Sequence, residues 1–408
     1  MIAKRTVFCC VLLAVVSTAA SAAILVGASS ADVNPRPGIC MGGYGKNRLT
    51  TGVHDDLYAK AVVFDDGKTP VALVIIDSVG LLHVDVNEIR EKASSRVTEI
   101  VLPPERIVVA CTHTHSAPDT QGLWGPDFST TGRDAQYVAK LIDTAAEQVA
   151  VAAKKRAPAT LMYAETKCHG WAVNVIDPGV FDFSVSVLQC LDDQGGTIAT
   201  LTNFACHPTI LDAPNTDASA DWVGYFYKRM SKALHGEHLY LQGAIGGWVQ
   251  PFNYRRTFEV AEEYGTDLAK KTLAALKDAK PLNGTEIRAA NKVFEIPLEN
   301  EMFRQLNKAG AIPGELSGDN VETEVAWFSV GTAEFATHPG ETSPAFSLQT
   351  KALMNGGPKF VLGLGLDQLG YIIEKEKFGK NPFEYNSLVS VGKEAGPRMM
   401  QALESIIP

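Results

Sequence analysis

The sequence predicts an α/β fold: a single large domain in which a mixed, twisted sheet is flanked by helices. Three observations carry this. Strand-like and helical apolar stretches alternate over nearly the whole chain, the pattern of α/β domains. Residues 183–191 and 198–206, joined by Asp193-Gln194-Gly195-Gly196, read as a hairpin, so the sheet contains antiparallel pairs. No Pro/Gly/Ser-rich joint divides the elements. With 46% hydrophobic and 20% charged residues, the 408-residue chain also has ample apolar material for a large core.

Taken in order, the elements begin with Lys4 and Arg5, an apolar run over 6–20 and the small-residue triplet Ala20-Ser21-Ala22. This is the form of a secretory signal cleaved after Ala22, so residues 1–22 are expected to leave and 23–408 to form a secreted or periplasmic domain. No later run approaches the roughly 20 apolar residues of a membrane span, and no integral membrane segment is expected in the mature chain. Residues 61–64 and 71–76 read as strands. Val86, Ile89, Ala93 and Val97 recur at helical spacing. A β-branched run over 107–111 reads as a strand that breaks before Pro118, and a helix is expected over about 133–155. After the hairpin, helices near 221–234 and 259–279 flank a strand at 238–241. Strands near 287–296, 326–336 and 360–364 and a helix over about 393–406 complete the series.

The net charge is −9, and −11 once Lys4 and Arg5 are lost. No Lys/Arg cluster stands out, which excludes a nucleic-acid footprint. Beyond the leader the five cysteines are odd in number and scattered, with no CxxC pair, so neither a disulfide framework nor a zinc ribbon is expected.

The sharpest local signal is Thr112-His113-Thr114-His115-Ser116-Ala117-Pro118. Two histidines spaced i, i+2 face one way on a straight strand, and where the strand breaks into a loop both imidazoles can converge on one ion. His207, in Asn203-Phe204-Ala205-Cys206-His207-Pro208, also ends an apolar strand. A third histidine in that setting favours a metal over ordinary strand-end polar residues, and neutral imidazoles with an oxygen donor suit zinc. Glu341, after Pro339-Gly340, is placed to supply a carboxylate or is a solvated loop residue. Tyr371, by its surroundings alone, is a core or rim tyrosine. Asp77 ends the strand 71–76, where it could orient a ligand histidine through the second ring nitrogen or serve as a turn aspartate. An HxH at a strand end also opens barrel-type amidohydrolases, but a hairpin argues against eight regular strand–helix pairs.

In order, these residues resemble the N-terminal catalytic domain of the neutral, non-lysosomal ceramidases. The resemblance rests on Met41-Gly42-Gly43-Tyr44, the Thr112–Pro118 motif, Asn203–Thr209, Asp221 with Gly224, Leu241–Gly247, Pro339-Gly340-Glu341 and Gly370-Tyr371-Ile372. It implies a zinc amidase that splits ceramide into sphingosine and a fatty acid. His113, His207, Glu341 and Tyr371 would hold zinc, bound water would attack the amide carbonyl, and His115 would act in catalysis. The sequence departs from the family at three places. Gly243 replaces the serine needed for activity, Gly247 replaces an aspartate, and the second catalytic tyrosine falls on Phe383 before Glu384, with Tyr385 two residues late. Gly243 and Tyr385 thus mark the expected substrate-binding positions. The substrate is expected to be ceramide or another lipid-like N-acyl compound, and the alternative is a homologue that holds metal but has lost turnover.

Overall fold

The computed structural model describes residues 24–252, 255–314, 316 and 318–408; the expected leader, 1–22, lies outside the described residues. Strand Val71–Ile76 is apolar and buried at every position, as a strand covered on both faces must be. It pairs parallel with Ile107–Cys111 and antiparallel with Tyr58–Asp65. Leu25–Asp32 and Ala157–Pro158 complete this five-stranded sheet. Helices His83–Arg96 and Ala135–Lys154 pack together, the second lying across the sheet. In Ala135–Lys154 the buried residues Val138, Leu141, Ile142, Ala145, Val149 and Ala152 form one stripe at helical spacing. Asp134 caps its start by accepting a hydrogen bond from the Tyr137 backbone N–H at 2.8 Å.

A second five-stranded sheet runs in the order Glu237–Gln242, Thr197–Phe204, Ser184–Leu191, Thr160–Lys167, Lys280–Pro281. Its centre is the expected hairpin, Ser184–Leu191 antiparallel to Thr197–Phe204. The chain then crosses over through helix Trp222–Ala233 so that Glu237–Gln242 pairs parallel with Thr197–Phe204. Helix Phe258–Leu276 packs on Trp222–Ala233.

The third sheet holds Ile287–Pro297, Asn320–Val330, Ala333–Thr337 and Lys359–Leu362. The expected single strand over 326–336 is two strands of a tight hairpin, in which Val330 pairs with Ala333. Gly331, at φ 54°, makes the turn, and a continuous apolar run on either side hid it. Phe328, Phe335 and Phe360 stack across neighbouring strands with centroids 4.4 and 4.3 Å apart, a ladder worth about 0.5–1.5 kcal/mol per pair beyond area burial.

The α/β class therefore holds, with the strands divided among several open mixed sheets and no barrel. One apolar cluster runs through both five-stranded sheets, and a second lies between the third sheet and helices Pro344–Leu353 and Ala395–Glu404. All five described cysteines are free thiols. The three sheets meet at strand ends: Cys111 N–H donates to Leu364 O at 3.3 Å, and Gly363 N–H to Gln242 O at 3.0 Å. Strand carboxyl ends are where open α/β sheets form binding crevices.

Candidate functional site

Strand Ile107–Cys111 ends two residues before His113, whose backbone turns into the left-handed region at φ 71°. A non-glycine residue pays about 1–2 kcal/mol for that conformation, and here it breaks the strand so that two histidines can converge. Their ring centroids lie 4.7 Å apart and nearly perpendicular, with the two Nε2 atoms 3.1 Å apart. His207 follows Thr197–Phe204, its centroid 4.9 Å from that of His113. Gln242 ties the two strand ends together, its Nε2 donating to the carbonyls of Thr112 and Cys206, each at 2.9 Å. The Trp222 indole donates to His207 O at 3.0 Å, and Asp221, which accepts from the Trp222 backbone N–H, fixes the start of that helix.

Glu341 and Tyr371 arrive side by side: Glu341–Thr342 and Tyr371–Ile372 form a two-residue parallel pair with these two residues in register. Gly340 permits it, since a Cβ there would lie 2.6 Å from Gly370 O. The Glu341 carboxylate reaches His207 Nε2 with one oxygen at 3.1 Å and His113 Nε2 with the other at 3.4 Å. Gln368 Nε2 donates to Glu341 Oε1 at 3.1 Å. Burial pushes the Glu341 carboxyl up, but His113 and His207 outweigh it and hold it well below the usual range. Burial, with Glu341 beside it, pushes the Tyr371 hydroxyl well above its ordinary pKa.

The donor set fits a metal ion. His113 Nδ1 and His207 Nδ1 lie 2.5 and 2.6 Å from the carbonyls of Val79 and Val249, and a carbonyl can only accept, so both Nδ1 atoms carry the proton. In the neutral form of these rings the Nε2 lone pairs would face the carboxylate, an arrangement that a cation standing between them satisfies. Bonds of about 2.0–2.1 Å in a tetrahedral site put ligand atoms roughly 3.3 Å apart, matching these separations. His113, His115 and His207 form a group able to hold an ion, their ligand atoms all within 4.8 Å of one another.

His115 differs from its neighbours. Its Nδ1 is buried with no hydrogen-bond partner among the described residues, its ring meets Tyr44 edge-on at 4.9 Å, and Arg48 donates to its backbone carbonyl. Burial, then His113 and His207, hold it well below the usual histidine pKa.

Two cavities open onto this cluster. One of about 610 Å³ reaches His113, His115, Glu341 and Tyr371 and is walled by Leu298, Phe303, Ile312, Leu316, Val321 and Leu369. The other, about 460 Å³, shares His115, Tyr371 and Tyr385 and carries Lys46, Trp248 and the ion pair of Arg256 with Asp212. Tyr385 stands at their shared mouth, stacked on Trp248 at 5.6 Å and edge-on to Tyr371 at 6.0 Å. Phe383 is buried away from both, with the Lys377 ammonium over its ring.

Two expected positions lie apart from the histidine rings and the cavities. Asp77 accepts from the Thr112 hydroxyl at 3.0 Å and the Tyr58 N–H at 3.0 Å, and burial raises its pKa to about 6. It orients no ligand ring, because backbone carbonyls already take both Nδ1 protons. Gly243 lines neither cavity; a Cβ there would sit 2.8 Å from the Cβ of Ala205. Gly247 adopts φ 73°, against the Asn174 amide. No role for Gln242, Gln368, Tyr44 or Arg48 was read from the sequence, although Tyr44 and Gln242 lie in stretches that carry the family resemblance.

Fold and site together define an α/β protein with a buried histidine–carboxylate cluster of metal-binding type at the foot of an apolar cavity. Residues 24–176 match the model of the neutral/alkaline non-lysosomal ceramidase family, N-terminal. The fold is similar to that of neutral ceramidase from Pseudomonas aeruginosa, at TM-score 0.81 and 15% identity over 94% of this chain and 74% of that one. A ceramidase complexed with C2 matches at TM-score 0.81 and 15% identity, over 94% and 75% of the two chains. No curated protein sequence matches. The resemblance to the neutral ceramidases is thereby confirmed. His113 and His115 lie inside the matched segment, and His207, Glu341 and Tyr371 lie beyond it, where the fold corresponds.

Proposed function

We propose that residues 23–408 act as one zinc-dependent hydrolase domain of neutral ceramidase type, cleaving the amide of ceramide or another lipid-like N-acyl compound. The observation that carries this is the convergence of the His113 and His207 Nε2 atoms on the two oxygens of Glu341. His113, His207, Glu341 and Tyr371 would hold the ion. Bound there, zinc supplies Lewis-acid polarisation of the amide carbonyl and acidifies water.

The remaining steps fall to the chain's own side chains. The apolar cavity, within the usual size range of ligand pockets, takes the acyl chain and keeps water from it. His115, uncharged and with its Nδ1 unpaired, stands at the junction of both cavities, where it can move a proton or steady the developing oxyanion. Tyr385 closes the mouth over the reacting group. No helix among the described residues is long and apolar enough to cross a membrane, which agrees with a secreted or periplasmic enzyme meeting its lipid from outside.

The glycines at 243 and 247 favour a second reading, a homologue that binds metal without turnover. The two are separated by product analysis of the purified chain with a panel of N-acyl lipids and acylated amino acids at full zinc occupancy. Release of a fatty acid supports the hydrolase, and none from any amide supports the inactive homologue.

A further inference from the structure

Within the apolar cavity two side chains interrupt the hydrocarbon lining beside Glu341. Gln121 and Gln368 are 5% and 7% exposed, and both line this cavity and not its neighbour. Gln121 Nε2 and Gln368 Oε1 have no hydrogen-bond partner among the described residues. The rest of each residue is pinned. Gln368 Nε2 is committed to Glu341, which fixes the orientation of its amide and leaves the oxygen facing away. Its backbone N–H donates to Asp367 at 2.8 Å. Gln121 sits in a loop whose N–H groups at 121, 122 and 124 all donate to the Asp119 carboxylate.

The two side chains flank one point above Gly80: a Cβ added there would lie 2.7 Å from Gln121 Nε2 and 2.7 Å from Gln368 Cγ. The cavity wall beside the proposed ligand Glu341 thus holds an unpaired amide nitrogen and an unpaired amide oxygen, on two side chains that both pack over Gly80. A plain hydrocarbon chain satisfies neither group, whereas a hydroxyl accepts from one and donates to the other.

We infer that Gln121 and Gln368 form a recognition site for a hydroxyl on the acyl chain, and that the substrate is a hydroxyacyl amide with this group on carbon 2 or 3. The inference rests on the proposed amide hydrolysis and on the acyl chain occupying the apolar cavity. Adjacency to Glu341 sets the position, since only a hydroxyl near the scissile carbonyl can reach an amide group that touches the cluster.

The test compares kcat/KM of the zinc-loaded chain on three amides of one amine and one chain length: unsubstituted, 2-hydroxyacyl and 3-hydroxyacyl. One hydroxyacyl amide is expected to be favoured by roughly tenfold or more, because a site built to bond a hydroxyl discriminates against the analogue that lacks it. Gln121→Leu and the more conservative Gln121→Met should each bring that ratio toward one. Turnover of the unsubstituted amide equal to or faster than both hydroxyacyl amides overturns the inference and leaves the hydrolase reading standing. Failure to cleave any amide at full zinc occupancy overturns the hydrolase reading and this inference with it.

Discussion

His207 Nε2 lies 3.1 Å from Glu341 Oε2 although the two residues are 134 positions apart in the chain. With the Nδ1 proton of His207 held by Val249 O, the contact sets a lone pair against a carboxylate, and a cation resolves it. The purified chain should therefore carry about one zinc per molecule. His113→Ala, His207→Ala and Glu341→Ala should each bring the content near zero after dialysis against a weak chelator, whereas His115→Ala should keep the metal and lose activity. Elemental analysis checks all four; an empty site in His115→Ala would make that residue a ligand.

Gly243→Ser restores the residue the ceramidase resemblance implies, yet the surroundings refuse it. The new Cβ would meet Ala205 at 2.8 Å, with the backbone of Ala205 at 3.0–3.1 Å behind it. The variant should lose about 1–3 kcal/mol to overpacking without gaining activity. Thermal unfolding and an amide assay check this, and wild-type stability with a raised rate would show that the backbone there adapts.

Tyr385 stands at the cavity mouth, 6.0 Å from Tyr371 by ring centroids, and Phe383 does not. Tyr385→Ala should lower kcat/KM by roughly tenfold or more. Phe383→Tyr, at the position of the family's catalytic tyrosine, should leave it unchanged. A reversed pattern in steady-state kinetics would mean that the segment carrying Phe383 and Tyr385 moves when substrate binds.

His338 is enclosed between the hydroxyls of Thr342 and Thr350, and burial lowers its pKa to about 3. The unfolded chain takes up a proton at this residue below about pH 6.5 and the folded one does not, so its contribution to stability is present above that pH and falls as the pH drops toward 3. Unfolding free energies of the wild type minus those of His338→Gln should therefore fall by about 2 kcal/mol between pH 7 and pH 5. A difference independent of pH would show that His338 takes up its proton as readily in the fold as in the unfolded chain.

The histidine cluster was legible in the sequence because two apolar strands end in histidine, one of them as an HxH, and three such histidines favour a metal over ordinary strand-end polar residues. Glu341 was a candidate carboxylate from its Pro-Gly turn, with a solvated loop residue as the alternative, and Tyr371 was legible only through family resemblance. Their pairing is a two-residue ladder between loops, which leaves no periodicity to read. Of the two roles open to Asp77, the strand-end one agrees with its contacts, because the acceptors beside the His113 and His207 rings are the backbone carbonyls of Val79 and Val249, a role that any residue type can fill. The turn at Gly331 vanished inside an apolar run, and the buried glutamines carry no spacing signal. Among the elements, the inner strands of the first two sheets were legible from apolar runs and alternation, while Leu25–Asp32 and Thr160–Lys167, the latter half exposed and edged by charge, were not.

The central claim is that the cluster works through a bound ion. Its most direct measurement is hydrolysis of an N-acyl amide by the chelator-stripped chain as zinc is added back, with bound metal counted in the same samples. The account predicts no activity in the stripped protein and a rise in proportion to bound zinc that ends at about one ion per chain. Full activity in folded protein free of metal would contradict it.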